Sequence, residues 1–106
     1  MPRYLVTGSY TSEGLKGLLK EGGTGRRKAV EAAVKSMGGH LESYYFAFGD
    51  NDVVTIVDVP DNVTAAALAI GISSTGTVGT RTTVLLTAEE IDEATKKTLS
   101  FRPAGR

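Results

Sequence analysis

The chain has 106 residues, a length that suits one domain with one core, and its formal net charge of +0 offers no overall field to attract nucleic acid or a membrane surface. The lack of Cys excludes disulfides, thiolate metal sites and cysteine nucleophiles. No apolar run approaches the length that spans a bilayer, so we expect a cytoplasmic, soluble protein.

The first part of the chain predicts a strand followed by a broken helix. Residues 5–10 alternate around β-branched and aromatic side chains, and the hydroxyls of Thr11 and Ser12 can cap a helix after them. Gly22 and Gly23 end this short helix, and Thr24 can cap a second one. The second helix has a continuous apolar stripe formed by Ala29, Val30, Ala33, Val34 and Met37.

The rest of the chain predicts three strands and two more helices. Residues 40–48 and 52–59 are strand-like, and the segment between them, rich in Gly, Asp and Asn, is typical of a hairpin turn. Pro60 and Asp61 begin an alanine-rich helix that ends within residues 71–76. Residues 78–86 predict a fourth strand, after which Thr87 and Glu90 form a capping box for a final polar helix.

This order, β-α-β-β-α-β-α, predicts an α+β fold of the ferredoxin-like kind, with a four-stranded antiparallel sheet and an added C-terminal helix. Right-handed crossovers place the first and third strands at the centre of the sheet. We expect a single domain over residues 1–100 and a flexible tail over residues 101–106.

Both faces of the predicted sheet are apolar, although the helices of this fold cover only one of them. Pairing two sheets face to face would cover the other and bury about 800 Å² per partner, so we expect a homodimer or higher homo-oligomer. The alternative is that the C-terminal helix folds over the second face. The set predicted to form the interface is Tyr44, Phe46, Phe48, Val54 and Ile56, with Leu41, Tyr45, Ala47, Val53, Val57 and Val59 on the opposite side.

Several segments closely resemble the GYD-domain family. They are residues 44–54, the helix start at Pro60 and Asp61, residues 76–83 and residues 11–16. The resemblance spans roughly residues 4–91 and implies a dimeric α/β-barrel, but it implies little about activity. The Gly-Tyr-Asp signature of the family maps to Gly49 and Asp52, with Asn51 where the tyrosine is expected, so no role of that aromatic side chain carries over.

Two short segments could bind ions. Asp50 and Asp52 could share a hard cation or a proton, or could serve only as turn formers. The glycine-rich segment 22–28 could form a loop that holds a phosphate or carboxylate at a helix start, or could be a mobile solvated loop. The residues of this candidate anion site are Gly23, Thr24, Gly25, Arg26, Arg27 and Lys28.

The interior of the predicted barrel combines polar and apolar side chains, as a small-molecule pocket does, although ordinary packing would use the same residues. Its polar members are Tyr4, Tyr10, His40, Tyr44, Tyr45 and Arg81. We therefore predict a homo-oligomer that binds a small molecule and needs no cofactor. One alternative is an enzyme like a cofactor-free oxygenase or isomerase, with His40, Tyr44 or Arg81 polarising the substrate and Glu42 as a further acid or base. Another is a module that responds to anions through residues 22–28.

Overall fold

The computed structural model describes residues 1–106 and contains four strands and three helices in the predicted order. The elements are β1 (Arg3–Tyr10), α1 (Ser12–Ser36), β2 (His40–Phe46), β3 (Val53–Asp58), α2 (Asn62–Ser73), β4 (Val78–Leu85) and α3 (Ala88–Thr95). The strands form one antiparallel sheet in the order β2-β3-β1-β4, which confirms the ferredoxin-like topology and the central position of β1 and β3. None of the helices combines the length and the apolar character needed to cross a bilayer.

Local signals in the sequence set the helix boundaries. The side chains of Thr11 and Asp61 accept hydrogen bonds from the first turns of α1 and α2, and Thr87 forms the predicted capping box with Glu90. Helix α1 is interrupted once, at Gly22, whose φ of 79° lies in the left-handed region that glycine adopts at little cost. The predicted break in the first helix is therefore confirmed.

The core lies between the helices and one face of the sheet. Its buried members are Tyr4, Val34, Leu41, Val57, Val59 and Ala65. The Tyr4 side chain is 1% exposed, and its hydroxyl donates a 2.5 Å hydrogen bond to the side-chain oxygen of Asn62 at the start of α2. Because a buried hydroxyl without a partner would be costly, this bond fixes α2 over the sheet.

The other face of the sheet carries no helix. Directly paired residues share a face, so the pairs of Leu5 with Ile56 and of Thr7 with Val54 place these four side chains on this uncovered side. We call this surface the open face and define it by its apolar members, which are Leu5, Tyr45, Val54, Ile56 and Leu85. Every residue of α3 is exposed, so the alternative in which the C-terminal helix covers the second face is wrong for this chain.

The predicted interface set does not lie on one face. Tyr44 pairs with Thr55 and faces the helices, whereas Tyr45 pairs with Val54 on the open face. From Tyr44 to Phe46, each even-numbered residue of β2 pairs with an odd-numbered residue of β3, because an even number of residues, 47–52, connects the two strands. Phe46 therefore shares the helix side with Tyr44, and only Val54 and Ile56 of the predicted set belong to the open face.

Two further placements on β2 and its hairpin also differ from the prediction. A register shift between Leu41 and Ser43 turns Leu41 to the helix side, together with Tyr44, and Leu41 is only 7% exposed. Phe48 lies beyond the end of β2 in the hairpin and is fully exposed. Alternation along a strand could not predict either position, because one follows from a bulge and the other from the length of the strand.

Candidate functional site

A small cavity lies between the helices and the sheet, toward the end of β1 at which α1 begins. Its volume is about 60 Å³. By comparison, one water needs about 10–15 Å³, so the cavity has room for a small chemical group. Most of its lining is apolar, and the lining comes from all four strands and from α1 and α2. It is formed by Val6, Gly8, Tyr10, Arg26, Val30, Tyr44, Val53, Thr55, Ile72, Val78 and Thr80. We call it the Arg26 cavity.

Arg26 supplies the only charge in this lining. It lies on α1 one turn before Val30, which packs against the core, and its side chain is 30% exposed. Its Nη1 donates to Oε2 of Glu21 at 3.1 Å, across the break at Gly22. Burial lowers the pKa of Arg26, but Glu21 and the neighbouring Tyr10 together outweigh this effect and raise it. The guanidinium therefore remains a permanent cation at the cavity wall.

Tyr44 and Tyr10 stand beside this guanidinium. Burial raises the pKa of Tyr44, the Tyr10 hydroxyl raises it further, and the Arg26 charge partly opposes both effects. Tyr44 is thus a neutral phenol that can donate a hydrogen bond at any physiological pH. Its ring meets that of Phe46 edge to face, with 5.4 Å between the ring centroids, which fixes its orientation.

Two surface recesses adjoin the cavity and share residues with it. One, of about 220 Å³, is polar and includes Tyr10, Lys20, Glu21 and Arg26. The other, of about 380 Å³, is apolar and lies between α1 and the β2–β3 hairpin, and we call it the hairpin groove; its lining is Tyr10, Leu15, Leu18, Leu19, Gly23, Phe46, Ala47, Phe48 and Asp52. Tyr10 lines all three spaces, so its side chain lies where the cavity and the two recesses meet.

The candidate catalytic residues do not come together within one chain. Tyr44 lines the Arg26 cavity, but His40 and Arg81 are exposed and lie on the other side of the sheet, because they pair with Asp58 and Thr7. His40 and Arg81 are also about 20 Å apart, since three strand spacings and four residues along the strand separate them. Glu42 forms an ion pair with Arg3 at 2.9 Å, at the same end of the sheet as His40.

Of the six polar residues predicted to line the barrel interior, only Tyr10 and Tyr44 line the Arg26 cavity. Tyr4 faces the same side of the sheet but belongs to the buried core. His40, Tyr45 and Arg81 are on the uncovered side.

The two hairpin aspartates have structural contacts. Oδ2 of Asp52 accepts a 2.8 Å hydrogen bond from the backbone N–H of Tyr10, and the backbone oxygen of Asp50 accepts a longer one, of 3.3 Å, from the Ser9 hydroxyl. These bonds hold the hairpin against the end of β1, as expected of turn formers. No group of three or more His, Asp or Glu side chains is arranged to hold a metal ion.

The glycine-rich segment is not a loop. Apart from Gly22, residues 22–28 are part of helix α1, so the predicted loop around Gly23, Thr24 and Gly25 is replaced by helical backbone. Gly23 has a packing role, because a Cβ there would lie 2.9 Å from the Phe46 ring. Among the three cations of this segment, only Arg26 turns toward the cavity, whereas Arg27 and Lys28 are exposed.

Sequence reasoning named Arg26 but did not connect it with the two tyrosines. The sequence signal that places Arg26 on the helix face toward the sheet is helical spacing, because Arg26, Val30 and Val34 follow one another at intervals of four residues. Val34 is fully buried and Val30 packs against the core, so the same stripe carries Arg26 over the sheet. The pairing with Tyr10 and Tyr44 depends on tertiary structure and has no local signal.

Comparison with known families agrees with the resemblance found in the sequence. The family model of the GYD domain matches residues 4–95, which are 92 of the 106 residues and extend from β1 to the end of α3. No curated protein and no solved structure shows significant similarity to the chain. The match covers both tyrosines and the arginine of the cavity.

Proposed function

This chain belongs to the GYD-domain family, and from this premise we propose that it is a homodimer that binds a small acidic molecule in the Arg26 cavity. The observation that carries this function is the position of Arg26, a charged side chain that lines an apolar cavity and is only 30% exposed. Desolvating a charge is costly, and only one of its donors is engaged by Glu21. An anionic ligand would bind the remaining donors.

The neighbouring hydroxyls favour the same class of ligand. Tyr44 and Tyr10 both have hydroxyls beside Arg26, so three donor groups converge on one wall. A carboxylate, a phenolate or an enolate accepts several hydrogen bonds on one small group, which suits this arrangement. The apolar walls formed by Val6, Val30 and the neighbouring side chains would hold a compact apolar body.

The open face supports the proposed dimer. Four strands about 4.8 Å apart and up to eight residues long, at about 3.3 Å per residue, give a projected area of roughly 500 Å². The apolar centre of this surface is formed by Leu5, Val54 and Ile56, and the ion pairs of Arg3 with Glu42 and Asp58 lie at one end. A second copy of the chain presents the same apolar centre and fits it by symmetry.

Ligand titration tests the binding site. Acetate and its neutral counterpart acetamide are probes of similar shape that are small enough for this cavity, and their affinities can be compared by calorimetry or by NMR shifts of Tyr10 and Tyr44. Because hydrogen bonds to charged groups contribute about 1.5–3 kcal/mol, we expect acetate to bind roughly 10–150 times more tightly than acetamide.

The matched variants are Arg26→Gln and Arg27→Gln, which remove neighbouring positive charges from the same turn of α1. Arg26→Gln should abolish the preference for acetate, whereas Arg27→Gln should leave it intact because Arg27 is exposed. Equal loss in both variants would mean that general charge attracts the probe, and would refute the assignment of the cavity. Failure of acetate to bind wild-type protein would refute the proposed function itself.

A further inference from the structure

The Arg26 cavity has room only for the acid group of a ligand and its first carbons. Its volume of about 60 Å³ is a few times the ~10–15 Å³ that one water needs, whereas sites that enclose a whole ligand usually measure about 300–1,000 Å³. The rest of a longer molecule that is bound at Arg26 must therefore lie in a neighbouring space. Two such spaces share residues with the cavity, the polar recess and the hairpin groove.

Three residues bring the inner end of the hairpin groove next to the donor groups of the cavity. Tyr10 lines both spaces, and its hydroxyl lies beside Arg26 and Tyr44. Gly23 lines the groove about one helical turn before Arg26. Phe46 also lines the groove, and its ring is the one that meets Tyr44 edge to face. The groove therefore continues the Arg26 cavity toward the surface.

The chemistry of the groove suits an uncharged chain. Seven of its nine lining residues are hydrophobic, and the lining contains no cation and one carboxylate, that of Asp52. An acid group in the groove would lose hydration and would be repelled by Asp52 without meeting a positive charge. Arg26 therefore fixes the orientation of an acidic ligand, with its acid group at the inner end and its apolar part in the groove.

The apolar walls of the groove are open to solvent. Leu19 on the α1 side is 87% exposed, and Phe48 on the hairpin side is fully exposed. Exposed apolar side chains that gather around one recess are typical of a binding surface, whereas scattered ones are ordinary. The groove lies on the helix side of the sheet with Phe46, so pairing of two open faces would leave it accessible to a ligand.

The polar recess offers the alternative path from Arg26. Only one of its seven lining residues is hydrophobic, and Lys20 and Glu21 are among them. An alkyl chain in this recess would cover charged side chains rather than apolar surface, so added methylene groups would not strengthen its binding. The two paths therefore predict different effects of chain length on affinity.

We propose that the ligand of this site is an amphipathic monocarboxylic acid, whose carboxylate binds Arg26 and whose alkyl chain lies in the hairpin groove between Leu19 and Phe48. This inference rests on the proposed function, because the acid group occupies the same Arg26 cavity. It adds the chain of the ligand and the groove that binds it.

A series of straight-chain acids tests the proposal. The affinities of acetate, butanoate and hexanoate, and of their neutral amides, are compared by calorimetry. Full burial of one methylene group strengthens binding about fourfold, and the groove is open on one side, so we expect a gain of roughly two- to fourfold per methylene. Hexanoate, but not acetate, should also shift the NMR signals of the Leu19 methyl groups and the Phe48 ring.

Groove variants identify where the chain binds. In the double variant Leu19→Gln, Phe48→Gln, hexanoate should lose most of its gain over acetate, while the affinity for acetate itself stays unchanged. Both residues are exposed, so their replacement leaves the core intact. Ile70→Gln is the matched control, because Ile70 on α2 is 69% exposed and lies outside the groove, and it should retain the full gain.

The same titrations separate this inference from the proposed function. Equal affinities of wild-type protein for acetate and hexanoate would overturn the groove as the site of the chain, as would a gain that survives in the double variant. A preference for acetate over acetamide would still support the proposed function in either case. Equal binding of hexanoate and hexanamide would show a chain bound without its acid group at Arg26, and would also overturn the inference. If neither acetate nor hexanoate bound, both proposals would fail.

Discussion

Replacing Gly14 by alanine should destabilise the fold, although alanine favours helices. A Cβ at Gly14 would lie 1.9 Å from the carbonyl oxygen of Thr77 and 2.8 Å from Cδ1 of Tyr10. Real Cβ contacts are essentially never below 3.0 Å, so α1 and β4 must move apart by at least 1.1 Å. Two hydrogen bonds span this junction, from the N–H of Thr11 to Thr77 at 2.9 Å and from its hydroxyl to Gly76 at 2.8 Å.

The expected loss follows from these contacts. A shift of about 1 Å would break both bonds, at about 1 kcal/mol each, and overpacking typically costs about 1–3 kcal/mol. Alanine returns up to about 1 kcal/mol through its higher helix propensity. The net loss of unfolding free energy is therefore about 2–4 kcal/mol, which corresponds to a melting temperature lower by roughly 10–25 °C.

Gly17→Ala is the matched control in the same helix. Nothing lies within 4 Å of a Cβ at this position, and Gly17 is not among the residues with positive φ. We expect this variant to gain about 0.5–1 kcal/mol, so the two substitutions should change the midpoint of urea unfolding in opposite directions. If Gly14→Ala were neutral or stabilising, the close contact between α1 and β4 would be refuted.

Two further predictions concern α2. Tyr4→Phe removes the buried hydroxyl that donates to Asn62 and should lower the unfolding free energy by about 1 kcal/mol in thermal or urea melts, and an unchanged value would contradict the role of this bond. The hydroxyl and the backbone N–H of Thr64 lower the pKa of Asp61 from its ordinary 3.8, so its contribution to stability is complete above that value and is lost as pH falls through the lower folded pKa. The stability difference between wild type and Asp61→Asn should therefore be constant at neutral pH and shrink in acid. A difference that grew in acid would contradict the lowered pKa of Asp61 in the folded protein.

The fold was predictable because its determinants are local. The caps at Thr11, Asp61 and Thr87 and the break at Gly22 depend on side chains and backbone within a few residues of each helix end. Given the order of elements, right-handed crossovers leave one arrangement with β1 and β3 at the centre, and this arrangement is observed.

The assignment of side chains to the two faces failed where it depended on contacts between strands. Alternation correctly separated Tyr44 from Tyr45, and Val53 from Val54. Alternation could not predict which side chains of β2 lie on the same face as which side chains of β3. That depends on the register between the two strands and on the shift after Leu41. A two-faced apolar sheet was therefore predictable, but the composition of each face was not.

The candidate site was predictable only in part, for a related reason. Tyr10 and Tyr44 were recognised as polar residues of an apolar interior, and Arg26 was recognised as a cation near a helix start. These three side chains meet only if α1 lies at one particular position along the strands, and the packing of Val34 against the core determines that position. No spacing within the sequence encodes it.

The most direct test of the account is the mass of the protein in solution. Sedimentation equilibrium at micromolar concentration should give about 22 kDa for the wild type, twice the 11.1 kDa of the chain. Ile56→Asp, which places a charge at the centre of the open face, should give the monomer mass while it remains folded by circular dichroism. A wild type that sediments at 11.1 kDa would contradict the claim that a second copy covers the open face.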